Sequence, residues 1–249
     1  MYQFMAGMYQ KRDWTFMNYG YEHLDPATPA PALSHEDEPN RFCIQLYHHV
    51  AGAISLLGAK VLEVGSGRGG GAAYIKRYLN PRLMVGVDFS PKAVSLCNRT
   101  HIMEGLSFVP GDAGNLPFDD ASFDAVVNVE SSHCYPNMDT FLAEVRRILR
   151  PGGHFLFADF RDQEDWDTLH QQLEQTGMQC VRRTDITENV VAALNADHER
   201  KLVQIKRGVP RLLINVFQEF AGSKGTRIYR RFQNKATLYY SFVLQKTGA

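Results

Sequence analysis

The sequence predicts an α/β fold, a doubly wound sheet of seven strands with a helical cap and insert. Three observations predict it. Apolar runs of strand length alternate with helical patterns along the 249 residues. The first run, Lys60–Val64, leads directly into Gly65-Ser66-Gly67-Arg68-Gly69-Gly70-Gly71. The second, Leu83–Val87, ends at Asp88. A strand, a glycine turn, a helix start and then an acidic strand end describe the carboxyl edge of a parallel sheet, where open α/β sheets bind their ligands.

Each element follows in order. Residues 1–57 form an amino-terminal helical or lid segment. Within it Asp25-Pro26-Ala27-Thr28-Pro29-Ala30-Pro31-Ala32 is a loop, because each proline removes a donor and restricts the residue before it. A helical pattern runs from about Pro39 to Leu57. The core, residues 58–184, holds strands at 60–64, 83–87, 106–109, 124–129, 153–159 and 178–184. Between the fourth and fifth of these, Phe141–Arg150 reads as a helix stopped by Pro151-Gly152-Gly153. An acceptor-side helical insert occupies 185–234, with a break at Gly208-Val209-Pro210. Residues 235–249 supply the last strand, at 238–245. The whole chain reads as a single domain.

Composition sets bounds on function. A 44% hydrophobic content suits one large core, and Lys plus Arg equals Asp plus Glu at 27 each. No overall positive field is available to hold a nucleic acid, so none is expected as a partner. The four cysteines, Cys43, Cys97, Cys134 and Cys180, are dispersed and lack Cys-x-x-Cys spacing. They predict neither a metal centre nor a disulfide framework, and they suit reduced thiols in the cytoplasm. The start, Met1–Met8, lacks the basic and apolar regions of a signal peptide, and no apolar run of 18 residues occurs. A soluble protein without stable membrane insertion is expected.

The glycine turn points to a nucleoside. Gly65 and Gly67 permit a tight turn with close backbone approach, and Asp88 offers only acceptors, as two ribose hydroxyls require. Glu63, two residues before the turn, would repel a pyrophosphate but could orient the loop or meet the ammonium end of a cationic ligand. Together with the glycine turn, this Glu-x-Gly-x-Gly-x-Gly run and its acidic strand end resemble the class I S-adenosylmethionine-dependent methyltransferases. Val109–Phe118 resembles the adenine segment of that family, Ser122–Glu130 its fourth strand, and Phe141–Phe157 its helix, Pro-Gly-Gly stop and fifth strand.

The resemblance implies a Rossmann-like methyltransferase sheet with its last strand antiparallel, and S-adenosyl-L-methionine as cofactor, released as S-adenosyl-L-homocysteine. It implies a cofactor site made from Glu63, Gly65, Ser66, Gly67, Gly69, Asp88, Phe89, Ser90, Gly111, Asp112, Ala113, Asn128, Val129 and Glu130. Asp112 would accept from the exocyclic amine of adenine. Phe16-Met17-Asn18-Tyr19-Gly20-Tyr21-Glu22 reads as an aromatic cluster covering the sheet, or resembles the Asn-aromatic-Gly-Tyr element of small-molecule methyltransferases. The second reading adds Tyr19 and Tyr21 to the pocket.

Methyl transfer from a sulfonium needs alignment, exclusion of water and the removal of one proton. His133, in the loop directly after the fourth strand, is the best positioned of the nine histidines to act as base, with Glu130 beside it. Both are candidate catalytic residues; each could also serve only to brace the loop. Asp159, at the end of the fifth strand, is a candidate partner on the substrate side. His48 and His49 read as surface or packing residues. Lys224, Arg227, Arg230 and Arg231 form a cationic stretch that is a solvated face or a hold for an anionic group.

Asp37–Arg41, Leu46-Tyr47-His48, Asn128–Pro136 and Phe217–Gly222 are similar to the mycobacterial phthiotriolone and phenolphthiotriolone dimycocerosate methyltransferases and to related bacterial fatty-acid or polyketide O-methyltransferases. That similarity implies transfer to a hydroxyl or enol of a small lipid-like, polyketide or other secondary-metabolite acceptor. The amino-terminal spelling also admits a sugar O-methyltransferase or an N-methyltransferase of a small heterocycle. A non-catalytic cofactor-binding protein is a further alternative. Partners are a small-molecule acceptor and, if dimerisation completes the pocket, a second copy of the chain.

Overall fold

The computed structural model describes residues 15–248. Met1–Met8, read above as lacking a signal peptide, lies outside them. Seven strands form one sheet: β1 Lys60–Val64, β2 Leu83–Asp88, β3 Leu106–Pro110, β4 Phe123–Val129, β5 Leu149–Asp162, β6 Gln179–Asp185 and β7 Thr237–Gln245. Their spatial order is β3-β2-β1-β4-β5-β7-β6. The first five are parallel to one another, and β7 runs antiparallel to both β5 and β6.

The helices are α1 Arg41–Ala51, α2 Gly70–Leu79, α3 Pro91–Thr100, α4 Met138–Ile148, α5 Trp166–Gln175, α6 Thr187–Ala196, α7 His198–Gly208, α8 Ile214–Phe220 and α9 Arg227–Gln233. They cover both faces of the sheet. Side chains of a strand alternate between faces, so Val61 enters one core while Leu62 and Val64 enter the other. Leu156 and Ala158 of β5 join the first core, and Phe155 and Phe157 join the second. α1, α2, α6 and α9 close the first; α4 and α5, through Phe141, Val145, Trp166 and Leu169, close the second. Burial on both faces is why these strands read as near-continuous apolar runs.

Several boundaries shift by one to three residues from the sequence reading, and two larger differences have a local cause. The helix expected over 39–57 begins as a short 3-10 turn at Glu38–Asn40 and ends at Ala51, with Gly52 as its cap. The fifth strand starts at Leu149 rather than 153, because Leu149 already pairs with Phe123 of β4. Pro151-Gly152-Gly153 is then an irregularity inside the strand, across which the pairing shifts to Ala125 and His154. The expected break in the insert is present: α7 stops at Gly208, and a 3-10 turn at Arg211–Leu213 precedes α8. Among the described residues no helix is long and apolar enough to cross a membrane, and no cluster of side chains could hold a metal ion.

Candidate active site

The carboxyl ends of β1, β2 and β4 meet because the three strands are neighbours in parallel register. Glu63 of β1 lies fully buried opposite Gly86 of β2 and Val127 of β4. Its Oε1 accepts from the Tyr47 hydroxyl at 2.6 Å, whereas Oε2 has no partner. Burial pushes this carboxyl up to about 8, against the lowering effect of the Tyr47 hydrogen bond.

The glycine turn is fixed by the end of β2. Gly65 and Ser66 donate their amides to the Val87 carbonyl, and Gly67 donates to Asp88 Oδ2 at 2.8 Å. Asp88 Oδ1 accepts from the Ser90 amide at 2.9 Å. Each oxygen thus has one bond and spare acceptor capacity. Burial raises the Asp88 pKa, and the two backbone bonds oppose that rise. Gly65 has φ +76°, and a Cβ there would meet Ser131 Oγ at 1.9 Å. The close approach at this glycine is therefore made by the loop after β4. Phe89 stands exposed beside Asp88, and Ser90 caps α3 through the Ala93 amide. Gly111 donates to the Asp88 carbonyl at 3.1 Å, Asp112 is exposed with Oδ1 on the Gly114 amide, and Ala113 packs on the second core.

At the end of β4, the buried Asn128 donates to the Val64 carbonyl and to the Tyr135 hydroxyl, leaving Oδ1 without a partner. Val129 faces the first core. Glu130 takes a positive φ of 47° and accepts the Tyr19 amide on Oε1 at 2.8 Å. Burial raises its pKa to about 7.

The next turn, Ser132–Cys134, packs against β5. Asp159, at 0% exposure, accepts from His133 Nδ1 at 2.8 Å on Oδ1. Its Oδ2 accepts the His133 amide at 2.9 Å and the Ser132 hydroxyl at 2.6 Å. Arg161 lies 3.1 Å from Oδ2 and donates to Ser132 Oγ. Burial opposes charge on His133, but the Asp159 carboxylate outweighs it and pushes the imidazole up to about 10. Burial likewise opposes ionisation of Asp159, yet His133 and Arg161 hold it well below the usual carboxylate range. Phe160 packs on the imidazole with ring centroids 4.4 Å apart, and Tyr19 packs on Phe160 and Phe232.

Most residues grouped by sequence therefore converge at one sheet edge. Tyr21 differs: its ring stacks on His49 of α1 at 4.5 Å and lies against His23. His48 and His49 bond the Tyr74 and Ser241 hydroxyls, in keeping with packing roles. Arg231 of the cationic stretch pairs with Asp162. Sequence reasoning missed Tyr47, Ser132, Tyr135 and Arg161. Arg161 had a signal, standing two residues after Asp159 and therefore on the same face of β5; a single tyrosine in an amphipathic helix gives none.

The donor and acceptor set suits a cationic nucleoside. Glu63 Oε2, Ser66 Oγ and Asn128 Oδ1 are buried without partners at the ends of adjacent strands, and Asp88 keeps free acceptor capacity.

A family model described as a methyltransferase domain matches residues 62–157. The phthiotriol/phenolphthiotriol dimycocerosates methyltransferase of Mycobacterium leprae is 40% identical over 91% of this chain and 84% of its own length. The fatty-acid O-methyltransferase of Mycolicibacterium smegmatis is 40% identical over 98% of this chain and 88% of its own. Among solved structures, the geranyl diphosphate C-methyltransferase of Streptomyces coelicolor aligns with a TM-score of 0.69 at 15% identity, covering 99% of this chain and 98% of that one. The [4+2]-cyclase SpnF aligns at 0.70 and 20% identity, over 92% and 87%. One fold thus carries different reactions. The chain belongs to the class I S-adenosylmethionine-dependent methyltransferases, in the family that contains these two 40%-identical relatives.

Proposed function

We propose that this methyltransferase alkylates an oxygen, a hydroxyl or enol, on a small lipid-like acceptor, with His133 as the base. The observation that carries the reading is the His133 Nδ1–Asp159 contact of 2.8 Å beside the end of β4. Asp159 accepts from Nδ1 and so leaves Nε2 to face the acceptor, the tautomer a general base needs. The lipid-like class is supported by the names of the two relatives with 40% identity.

S-adenosylmethionine, when bound, supplies an electrophilic methyl group. The residues fitted to hold it are Asp88 for the ribose, Glu63, Ser66 and Asn128 for the amino-acid end, and Asp112 with Phe89 near the adenine. Glu130 orients the covering segment through the Tyr19 amide. Phe160, Tyr19 and Phe232 form an apolar wall that excludes water from the acceptor oxygen. Asp159 keeps the imidazole in one orientation while Ser132 and Arg161 share its second oxygen.

A base with a pKa raised to about 10 is mostly protonated at pH 7, so its reactive neutral form increases as pH rises. The rate should climb with pH toward about 10, and Asp159→Asn should move the rise to lower pH. His133→Ala should slow turnover by about 10²–10⁴ while sparing S-adenosylhomocysteine binding. Undiminished turnover in that variant would remove the base role. The same raised pKa favours a second reading, in which imidazolium holds a carboxylate acceptor that needs no base. Turnover would then fall as pH passes about 10 instead of rising toward it.

A further inference from the structure

We infer that the outer edge of α7 and α8 is a peripheral docking surface for an anionic lipid bilayer. Residues 202–218 contain Lys206, Arg207 and Arg211 and no carboxylate. All three are exposed. None of their side chains has an ion pair or hydrogen bond among the described residues, although Arg200 on the same helix is tied to Asp197.

Apolar side chains stand among these cations. Leu212 is 96% exposed, Val203 45% and Val216 44%. They are not core residues lacking a core, because the same elements bury Ile205, Val209 and Phe217 in a cluster of their own. Val203 shares one helix face with Lys206 and Arg207, while Leu212 stands on the 3-10 turn that follows, beside Arg211, and Val216 on α8. An apolar tip flanked by unpaired cations is the pattern of a segment that rests in the headgroup region. A second copy of the chain is a poorer occupant, since a two-fold interface would set the same three cations against each other. An acidic protein partner is the alternative that absence of binding to anionic vesicles would favour.

The inner face of α7 looks the other way. Lys201, Gln204 and Ile205 line a cavity of about 30 Å³ shared with Phe16–Tyr19. One helix thus carries the docking surface outside and borders the candidate site inside. The inference goes beyond the proposed oxygen acceptor and does not depend on it.

The test is co-sedimentation of the full chain with phosphatidylcholine vesicles, with and without phosphatidylglycerol. Binding to the anionic vesicles only, weakened by salt, is the expected result. Each basic side chain at such a surface contributes roughly fivefold in partitioning, so Lys206→Gln, Arg207→Gln and Arg211→Gln combined should cost about a hundredfold. Leu212→Asp should also abolish binding. Both variants should keep wild-type affinity for S-adenosylhomocysteine, a readout that separates loss of docking from loss of fold or of the cofactor site. Failure of the wild type to bind anionic vesicles, equal binding by the triple variant, or a dimer dispersed by Leu212→Asp without vesicle binding would each overturn the inference.

Discussion

Glu63 is a buried carboxylate with one oxygen on Tyr47 and the other without a partner. With its pKa near 8, it is mostly protonated at pH 7 in the free protein. An arriving ammonium favours the ionised form, so binding releases a proton. Affinity for S-adenosylmethionine should therefore strengthen as pH rises through about 8 and level off above it. Calorimetry in buffers of different ionisation enthalpy should detect the released proton at pH 7, and Glu63→Gln should abolish it. Gly65 carries a different constraint. Its φ of +76° costs an L-residue about 1–2 kcal/mol, and the Ser131 hydroxyl fills the space of a Cβ. Gly65→Ala should lower the urea midpoint, and adding Ser131→Gly should recover the steric part and leave the backbone part.

At the scale of elements, the segment before α1 is a strap held by hydrogen bonds to several elements, among them four of different origin. Tyr19 donates to Glu130, Tyr21 to the Phe42 carbonyl, Glu22 to the Asn189 carbonyl, and Lys201 reaches the Tyr19 carbonyl. It thereby ties the loop after β4 to α1, α6 and α7. Glu130→Ala should raise hydrogen exchange at the Tyr19 amide by about tenfold or more, since a bond to a charged acceptor is worth about 1.5–3 kcal/mol. Glu130→Gln, which retains an acceptor oxygen, should largely prevent that increase. The strap's aromatic spelling was visible in sequence, but its attachment was not. Extended backbone would put Tyr19 and Tyr21 on one face, but Gly20 between them has φ +93°, and the turn there sends one ring toward Phe160 and the other onto His49. A motif reading that treats both as pocket residues misses this division.

Over the whole molecule, a ligand that binds only the folded chain stabilises it by mass action. S-adenosylhomocysteine at a hundredfold excess over its Kd should add about 2.7 kcal/mol, a Tm rise of roughly 5–11 °C for a chain of this size. Asp88→Ala should erase that shift in differential scanning fluorimetry, because its carboxylate both grips the Gly67 amide and offers the free acceptor positions.

The sequence by itself determined the layers, the strand positions and the glycine turn, because local patterning of apolar residues and turn glycines reports burial and backbone conformation directly. It also placed Glu63, Asp88, Glu130 and His133 together, since each lies at or just beyond the carboxyl end of a strand at the same sheet edge. Only the tertiary structure decided their chemistry. Asp159 meets His133 across 26 residues of chain, and Tyr47 meets Glu63 across 16, through a strand order and a helix position that no local pattern encodes. A pKa depends on such neighbours and on desolvation, and both exist only once the chain has folded.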